Sequence, residues 1–326
     1  MELARDFKVG KKIELTYAWS ESRVKCLREC MWRYFLTYFQ AWEGWLASAP
    51  QEKQRAYTLK NMTNMPMWVG SIVHDVIEDV ITTGRNTGQW CTLEQAQHAG
   101  VRALRKGWKQ SVDKRWQGSP KKNINLAEHF YQEEIEKDRL SSFKQKVLAS
   151  LKAFCDMPLF KILQGLEKDD WLTLEDFQKF RLNTGEEVTV KIDCGFRYRG
   201  KVYLLDWKTG RVSESVIDQL VTYSMYAMKQ GWAKKPEDIV IIPVYLAAYA
   251  DLGERATPHL NVTMQHMKRQ AGIIRSEYPL LTEAFEHKDD PSYFKRTDNE
   301  HACARCFFRD MCEGAKTEVG EGETPF

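Results

Sequence analysis

Two aspartates and a lysine lie close together in residues 187–208 and could hold a metal ion. This segment alternates apolar and polar side chains with the period of two that is typical of a half-buried β-strand. If Arg199 and Gly200 form a two-residue turn, the segment folds into a hairpin in which Asp193 lies opposite Asp206. Lys208 then projects beside Asp206, because side chains two positions apart on a strand point the same way.

This arrangement of acids favours a divalent cation. Two carboxylates about 4 Å apart repel each other by roughly 1 kcal/mol in water and about 4 kcal/mol at the effective dielectric constant of a partly buried site. Mg²⁺ removes that repulsion and binds one or two carboxylates together with phosphate oxygens and water, while a neighbouring lysine can orient an attacking water. The alternative is a solvated hairpin face whose charges pair with one another, which the predicted register disfavours.

A second group of residues with metal-binding chemistry lies near the end of the chain. It is a C-x2-C-x5-C pattern formed by Cys303, Cys306 and Cys312. Three thiolates at this spacing can converge on one metal centre, which needs a fourth ligand. Cys26 and Cys30 are the candidates, with His301 as a substitute. Three clustered thiolates and one distant thiolate fit a cubane iron–sulfur cluster better than a zinc site made of two close pairs, although spacing alone leaves both open.

The composition describes a globular protein with a substantial core. The chain has 326 residues, of which 43% are hydrophobic. Its net charge of +3 is small, so a nucleic-acid surface would have to be a local groove. Because no apolar run is long enough to cross a bilayer and the first residues lack a signal peptide's apolar core, we expect a cytoplasmic location without membrane contact. Eight cysteines there favour metal ligation over disulfides.

The elements that would position these residues are mostly helical. An amphipathic helix over residues 67–83 carries His74, and a mostly helical segment follows it as far as about residue 165. After the hairpin we predict a helix with Gln219 and Tyr223 on one face, a buried strand at residues 238–249 and a helix at residues 264–286. Basic and aromatic residues interleave in residues 102–116, which we interpret as a solvated helix face rather than a base-stacking surface.

Several of these residues together resemble the RecB-like branch of the PD-(D/E)XK nucleases. The matching residues are Asp193, the sequence Asp206-Trp-Lys208-Thr-Gly210, His74 within Gly70-x-x-x-His74, and Gln219-x-x-x-Tyr223. Cys30 followed by aromatic residues, with the three later cysteines, is similar to the iron–sulfur subgroup that includes AddB-type nuclease domains, CRISPR-associated adaptation nucleases and single-domain exonucleases. The resemblance spans about residues 20–312, and the order of the motifs makes the set specific although each one is weak.

The resemblance implies a role for each matching residue. The metal ligands would be His74, Asp193, Asp206 and the main-chain carbonyl of Trp207, binding Mg²⁺ or Mn²⁺. Without the other motifs, His74 would be interpreted as an ordinary core histidine. Lys208 would orient or activate the attacking water, and Gln219 and Tyr223 would support Lys208 and contact the substrate backbone.

The resemblance also implies a 4Fe-4S cluster that holds a DNA-binding element against the core. Its ligands would be Cys30, Cys303, Cys306 and Cys312, with zinc as the alternative occupant. Two residues depart from the family pattern. Asp206 stands where many relatives have Glu, and Met31 follows Cys30 where relatives often have Pro, which leaves Cys26 as the alternative to Cys30.

The fold implied is α/β, with a restriction-endonuclease-like mixed sheet flanked by helices, a helical insertion, and a cluster joining the N- and C-terminal elements. We expect one compact domain with these segments: an N-terminal helical element (1–66), the His74 helix and helical insertion (67–165), the catalytic core (166–290), the cysteine element (291–312) and a disordered tail (313–326).

The function implied is that of a Mg²⁺- or Mn²⁺-dependent deoxyribonuclease, an exonuclease rather than an endonuclease. Its substrate would be single-stranded DNA or DNA ends. It would act in recombination, repair or defence, and any protein partner would belong to a complex that carries out that process. The alternative function is a non-catalytic nucleic-acid-binding subunit of a recombination or CRISPR-type complex.

Overall fold

A mixed five-stranded sheet forms the centre of the fold. The computed structural model describes residues 14–213 and 215–312, so the predicted disordered tail at 313–326 lies outside the described residues. The strands are β1 (Trp171–Arg181), β2 (Glu187–Tyr198), β3 (Lys201–Lys208), β4 (Ile239–Tyr245) and β5 (Leu260–Asn261). They lie in sequence order, with β3 and β4 parallel and the other neighbours antiparallel. This is the restriction-endonuclease-like architecture that the sequence predicts.

Helices cover both faces of this sheet. In chain order they are α1 (Glu21–Glu29), α2 (Met31–Phe35), α3 (Gln51–Lys60), α4 (Met65–Thr87), α5 (Leu93–Val112), α6 (Ala127–Phe130), α7 (Lys137–Asp156), α8 (Pro158–Gln164), α9 (Ser215–Lys229), α10 (Tyr249–Leu252), α11 (Met264–Glu286) and α12 (Glu300–Ala304). A π-helical turn at Leu36–Gln40 follows α2 directly. Among the described residues, no helix combines the length and apolar character needed to cross a bilayer.

The hairpin of β2 and β3 has the predicted register. Arg199 and Gly200 have φ angles of 48° and 75°, the left-handed conformation that a two-residue hairpin turn requires at both positions. Cys194 pairs with Leu205, and Phe196 pairs with Tyr203. The Phe196 and Tyr203 rings stack with centroids 5.3 Å apart, which adds a cross-strand contact to the ladder.

The predicted division of the hairpin into one apolar face and one polar face is wrong. Val188, Val190 and Ile192 pack into the core with α1, α9 and α11, whereas Cys194 and Phe196 pack into a second core with α4 and α7. The change between the two cores falls at residue 193. Because helices cover both faces, most of β2 and β3 is buried on both sides, and the period of two does not mark a solvated face here.

The two ends of the described chain pack against each other. The Phe35 and Phe294 rings have centroids 5.0 Å apart, and the main-chain N–H of Trp32 donates to the Lys295 carbonyl at 3.0 Å. Farther along, the Tyr131 hydroxyl donates to the Phe307 carbonyl at 2.8 Å. These contacts bring the early cysteines beside the late ones.

The predicted elements agree with the observed ones, with small changes in length. The helix predicted at residues 264–286 is α11 with the same bounds, and the helix predicted at 67–83 is α4, which is longer at both ends. The strand predicted at 238–249 is β4, which ends at Tyr245, where a short helical segment begins. The sequence did not predict β1.

Candidate metal-dependent active site

Three ligand-type side chains from three different elements converge at one edge of the sheet. His74 lies on α4, Glu175 on β1 and Asp193 on β2, and one donor atom of each lies within 4.8 Å of the others. His74 Nδ1 is 3.5 Å from Asp193 Oδ2 and 3.6 Å from Glu175 Oε1. An imidazole and two carboxylates at such separations form the donor set of a metal site.

The helix that carries His74 approaches the end of β3 closely. A side chain at Gly70, one turn before His74, would place its Cβ 3.2 Å from Thr209 Oγ1, so the absence of a side chain permits the approach. His74 Nε2 then donates to the main-chain carbonyl of Trp207 at 2.7 Å. His74 and the Trp207 carbonyl are two of the groups that the resemblance assigns as metal ligands, and they are therefore direct neighbours.

Asp193 and Asp206 occupy the buried positions next to these groups. The regular β2–β3 pairing runs up to Cys194 and Leu205, and the Asp193 side chain then accepts a hydrogen bond from the Trp207 main-chain N–H at 2.8 Å. Asp193 and Asp206 are only 6% and 2% exposed. The hairpin thus aims both carboxylates inward, where water screens their charges poorly.

Glu175 is the site residue that the sequence analysis missed. Its side chain is 5% exposed, and its φ of 50° is unusual for a residue with a side chain. Lys191 Nζ lies 2.5 Å from Glu175 Oε2, so the buried carboxylate is paired with a cation. A prediction of β1 as the antiparallel neighbour of β2 would have brought Glu175 opposite Asp193.

Lys208 begins a chain of polar contacts that runs away from the acids. Its Nζ lies 2.5 Å from Asp206 Oδ2 and donates to Gln219 Oε1 at 3.3 Å. Gln219 Nε2 in turn donates to the Tyr223 hydroxyl at 2.5 Å. Gln219 and Tyr223 lie one turn apart on α9, so their i, i+4 spacing holds the lysine from one helix face.

Burial and crowding disturb the titration of the acids. Burial, followed by the Asp206 charge, raises the pKa of Asp193 to about 7. Burial also raises the pKa of Asp206, and Lys208 opposes that change. For Glu175, burial acts upward, but hydrogen bonds from His74 and Lys191 outweigh it and lower the pKa. A bound cation would remove this penalty of burying negative charge.

The four cysteines of the predicted cluster surround one cavity. Cys30, Cys303, Cys306 and Cys312 line a cavity of about 270 Å³. Cys26 is not among the lining residues, and its sulfur accepts a hydrogen bond from Arg33 Nε at 3.4 Å. Among the described residues, His74, Glu175 and Asp193 are the one group of three such ligands with donor atoms all within 4.8 Å, so no three of the thiol sulfurs lie that close together.

Comparison with known protein families identifies the superfamily of the chain. A sequence profile of the PD-(D/E)XK nuclease superfamily matches residues 18–313. The chain belongs to the PD-(D/E)XK nuclease superfamily. A search of curated proteins found no match. Membership in a nuclease superfamily implies a nucleic-acid substrate and the use of a divalent metal.

The residues present fit the divalent metal that this superfamily uses. Their donors are the carboxylate oxygens of Glu175, Asp193 and Asp206, the imidazole of His74 and the carbonyl of Trp207. Hard oxygen donors with one imidazole suit Mg²⁺ or Mn²⁺, and thiolates are absent from this set. Among the described residues, Lys191 pairs with Glu175 and Lys208 with Asp206, whereas Asp193 has no lysine partner, so its carboxylate is available to a divalent cation.

Replacing Glu175 with Gln should weaken metal binding, because it removes one charged oxygen ligand from the site. We expect the Kd for Mn²⁺, measured by isothermal titration calorimetry, to rise at least about tenfold. Glu94→Gln, an exposed position on α5, serves as the matched control and should retain the original affinity. Equal Mn²⁺ affinity of the Glu175 variant and the unaltered protein would exclude Glu175 as a ligand.

Proposed function

We propose that the chain is a Mg²⁺- or Mn²⁺-dependent deoxyribonuclease that hydrolyses phosphodiester bonds. The observation that carries the proposal is the convergence of His74, Glu175 and Asp193, with the buried Asp206 and its partner Lys208 beside them. Buried acids without a cation are costly, and an enzyme that binds phosphate through a metal has a use for that arrangement. Membership in a nuclease superfamily supports the same reaction class.

Each side chain has a definite task in this reaction. The metal would be held by His74, Glu175, Asp193, Asp206 and the Trp207 carbonyl, and when bound it would polarise the phosphodiester and lower the pKa of a coordinated water. Lys208 orients that water and offsets charge on the phosphate, since its ammonium group already lies 2.5 Å from Asp206. Gln219 fixes the lysine, and Tyr223 fixes Gln219.

We propose further that the enzyme belongs to the RecB-like branch and acts as an exonuclease on single-stranded DNA or DNA ends. The ordered set of Gly70-x-x-x-His74, Asp193, Asp206-x-Lys208 and Gln219-x-x-x-Tyr223 supports this assignment, because that branch shares all four elements. Recombination, repair or defence is the corresponding setting. The non-catalytic alternative gains no support from the site, where the acids and the lysine are all present.

We propose that Cys30, Cys303, Cys306 and Cys312 hold a 4Fe-4S cluster with a structural role. In a tetrahedral zinc site with Zn–S bonds of about 2.3 Å, the sulfurs lie about 3.8 Å apart. Among the described residues no three of these sulfurs lie within 4.8 Å of one another, and together with the cavity of about 270 Å³ this supports the larger cluster. Arg33, Arg296 and Arg309 line the same cavity, and their charges would offset those of the thiolates.

Asp206→Ala and Lys208→Ala should each lower DNA cleavage at least about a hundredfold, because one loses a metal ligand and the other the group that orients water. The assay uses labelled single-stranded, double-stranded and end-blocked DNA with Mn²⁺, and EDTA as the blank. Loss of cleavage on end-blocked DNA alone would identify an exonuclease.

Lys161→Ala, an exposed lysine on α8, is the control and should cleave normally. Near-normal activity of both site variants would refute the active-site assignment. Binding of DNA by the unaltered protein without any metal-dependent product would favour the non-catalytic subunit.

The purified protein should be brown under anaerobic conditions, with broad absorbance near about 400 nm from thiolate-to-iron charge transfer. Cys306→Ser should lose this absorbance and unfold at a lower temperature, because the cluster joins distant parts of the chain. The control is Cys91→Ser, a substitution outside the cavity, and the protein that carries it should remain brown. A colourless anaerobic preparation with stoichiometric zinc would contradict the iron–sulfur assignment.

A further inference from the structure

One tyrosine ring near the surface is contacted by two cations from different helices. The guanidinium carbon of Arg23, on α1, lies 4.5 Å from the centroid of the Tyr38 ring. The ammonium nitrogen of Lys60, the last residue of α3, lies 5.6 Å from the same centroid. Each contact is a cation–π interaction, and together they hold two like charges near one point.

The charge of a third cation, Lys121, acts on Lys60. Partial desolvation, followed by the charges of Arg23 and Lys121, lowers the pKa of Lys60. Lys60 and Lys121 are exposed, and Arg23 is half-buried, so solvent reaches the group. We call Arg23, Lys60 and Lys121 the basic cluster.

The basic cluster lacks the acidic partners that its neighbours have. On the same helix, Arg28 pairs with Glu277 at 2.8 Å, and Arg33 just beyond it pairs with Glu29 at 2.5 Å. Within the described part of the chain, no carboxylate lies within 4.0 Å of a cation of the basic cluster. Two cations held at one ring, with the charge of a third acting on one of them and no acid beside them, are unfavourable by themselves. An anion from outside the chain would relieve their repulsion.

The two helices of the basic cluster lead to the neighbourhood of the candidate active site, although neither carries a site residue. α1 begins at Glu21, a residue close enough to Lys208 and Asp206 for their charges to act on its carboxyl. Lys60 ends α3 four residues before Asn64, the N-cap of the helix that carries His74. Tyr38 itself lies in the π-helical turn, a backbone irregularity that is frequent at functional sites.

We propose that the basic cluster binds backbone phosphate of a single-stranded nucleic acid whose scissile bond lies in the metal site. Arg23 offers a planar fork of donors to phosphate oxygens, and the two lysines add point charges. Tyr38 fixes Arg23 and Lys60 in place through its ring. This inference rests on the proposed nuclease function. It adds a second site, distant from the scissile bond, at which the protein holds the strand.

The test is binding of a fluorescent single-stranded DNA of about 16 nucleotides to the full chain, measured by anisotropy with Ca²⁺ as the metal. The titration is repeated from about 50 to about 200 mM KCl. Lys60→Gln with Lys121→Gln should weaken binding about tenfold and reduce the slope of log K against log salt by about 0.7 for each phosphate that the variant no longer neutralises. Lys60→Arg with Lys121→Arg should restore affinity, because the charges return.

Lys161→Gln serves as the matched control, and its affinity and salt slope should equal those of the unaltered protein. Unchanged affinity and slope in the double Gln variant would overturn the proposal, as would failure of the unaltered protein to bind the oligonucleotide. A parallel cleavage assay with Mn²⁺ separates the phosphate-site proposal from the nuclease proposal. Absence of cleavage with the predicted weakening of binding would refute the nuclease function and support the phosphate site.

Discussion

The carboxylates of Glu175 and Asp193 converge beside His74, and the buried Asp206 on the next strand lies close enough for its charge to act on Asp193. The mutual repulsion of these acids is the constraint on which the rest of the site depends. A pair of such charges about 4 Å apart costs about 4 kcal/mol at the effective dielectric constant of a partly buried site. The chain offsets part of this cost with two lysines, since Lys191 pairs with Glu175 and Lys208 with Asp206. Asp193, between them, keeps a pKa raised to about 7 by burial and by Asp206. A divalent cation is the partner that this set of charges still requires.

The backbone is shaped to bring these acids together. Glu175 has a φ of 50°, a conformation that costs of order 1–3 kcal/mol and persists only where surrounding structure enforces it. Gly70 lets α4 approach Thr209 so that His74 reaches the Trp207 carbonyl. On the other side, the packing of Phe35 against Phe294 joins the two ends of the described chain. The hairpin, the helix and the cysteine-lined cavity are therefore parts of one arrangement around the acids.

The sequence predicted the elements whose geometry is local. The predicted turn at Arg199 and Gly200 gave the observed hairpin register, and the helix predicted at residues 264–286 is α11. The sequence could not predict Glu175, because its place depends on pairing between β1 and β2 and on an unusual φ that no local pattern encodes. The single apolar face was wrong for a similar reason: helices from distant segments cover both sides of the sheet. The placing of His74 beside Asp193 came from family resemblance, since more than a hundred residues separate them.

The central claim is that Glu175, Asp193 and Asp206 converge in order to hold a divalent cation with His74. The most direct test is X-ray diffraction from crystals soaked in Mn²⁺, with data collected near the manganese absorption edge. We predict an anomalous difference peak among these four side chains and the Trp207 carbonyl. Strong manganese peaks elsewhere on the protein, with none between His74 and Asp193, would contradict the account.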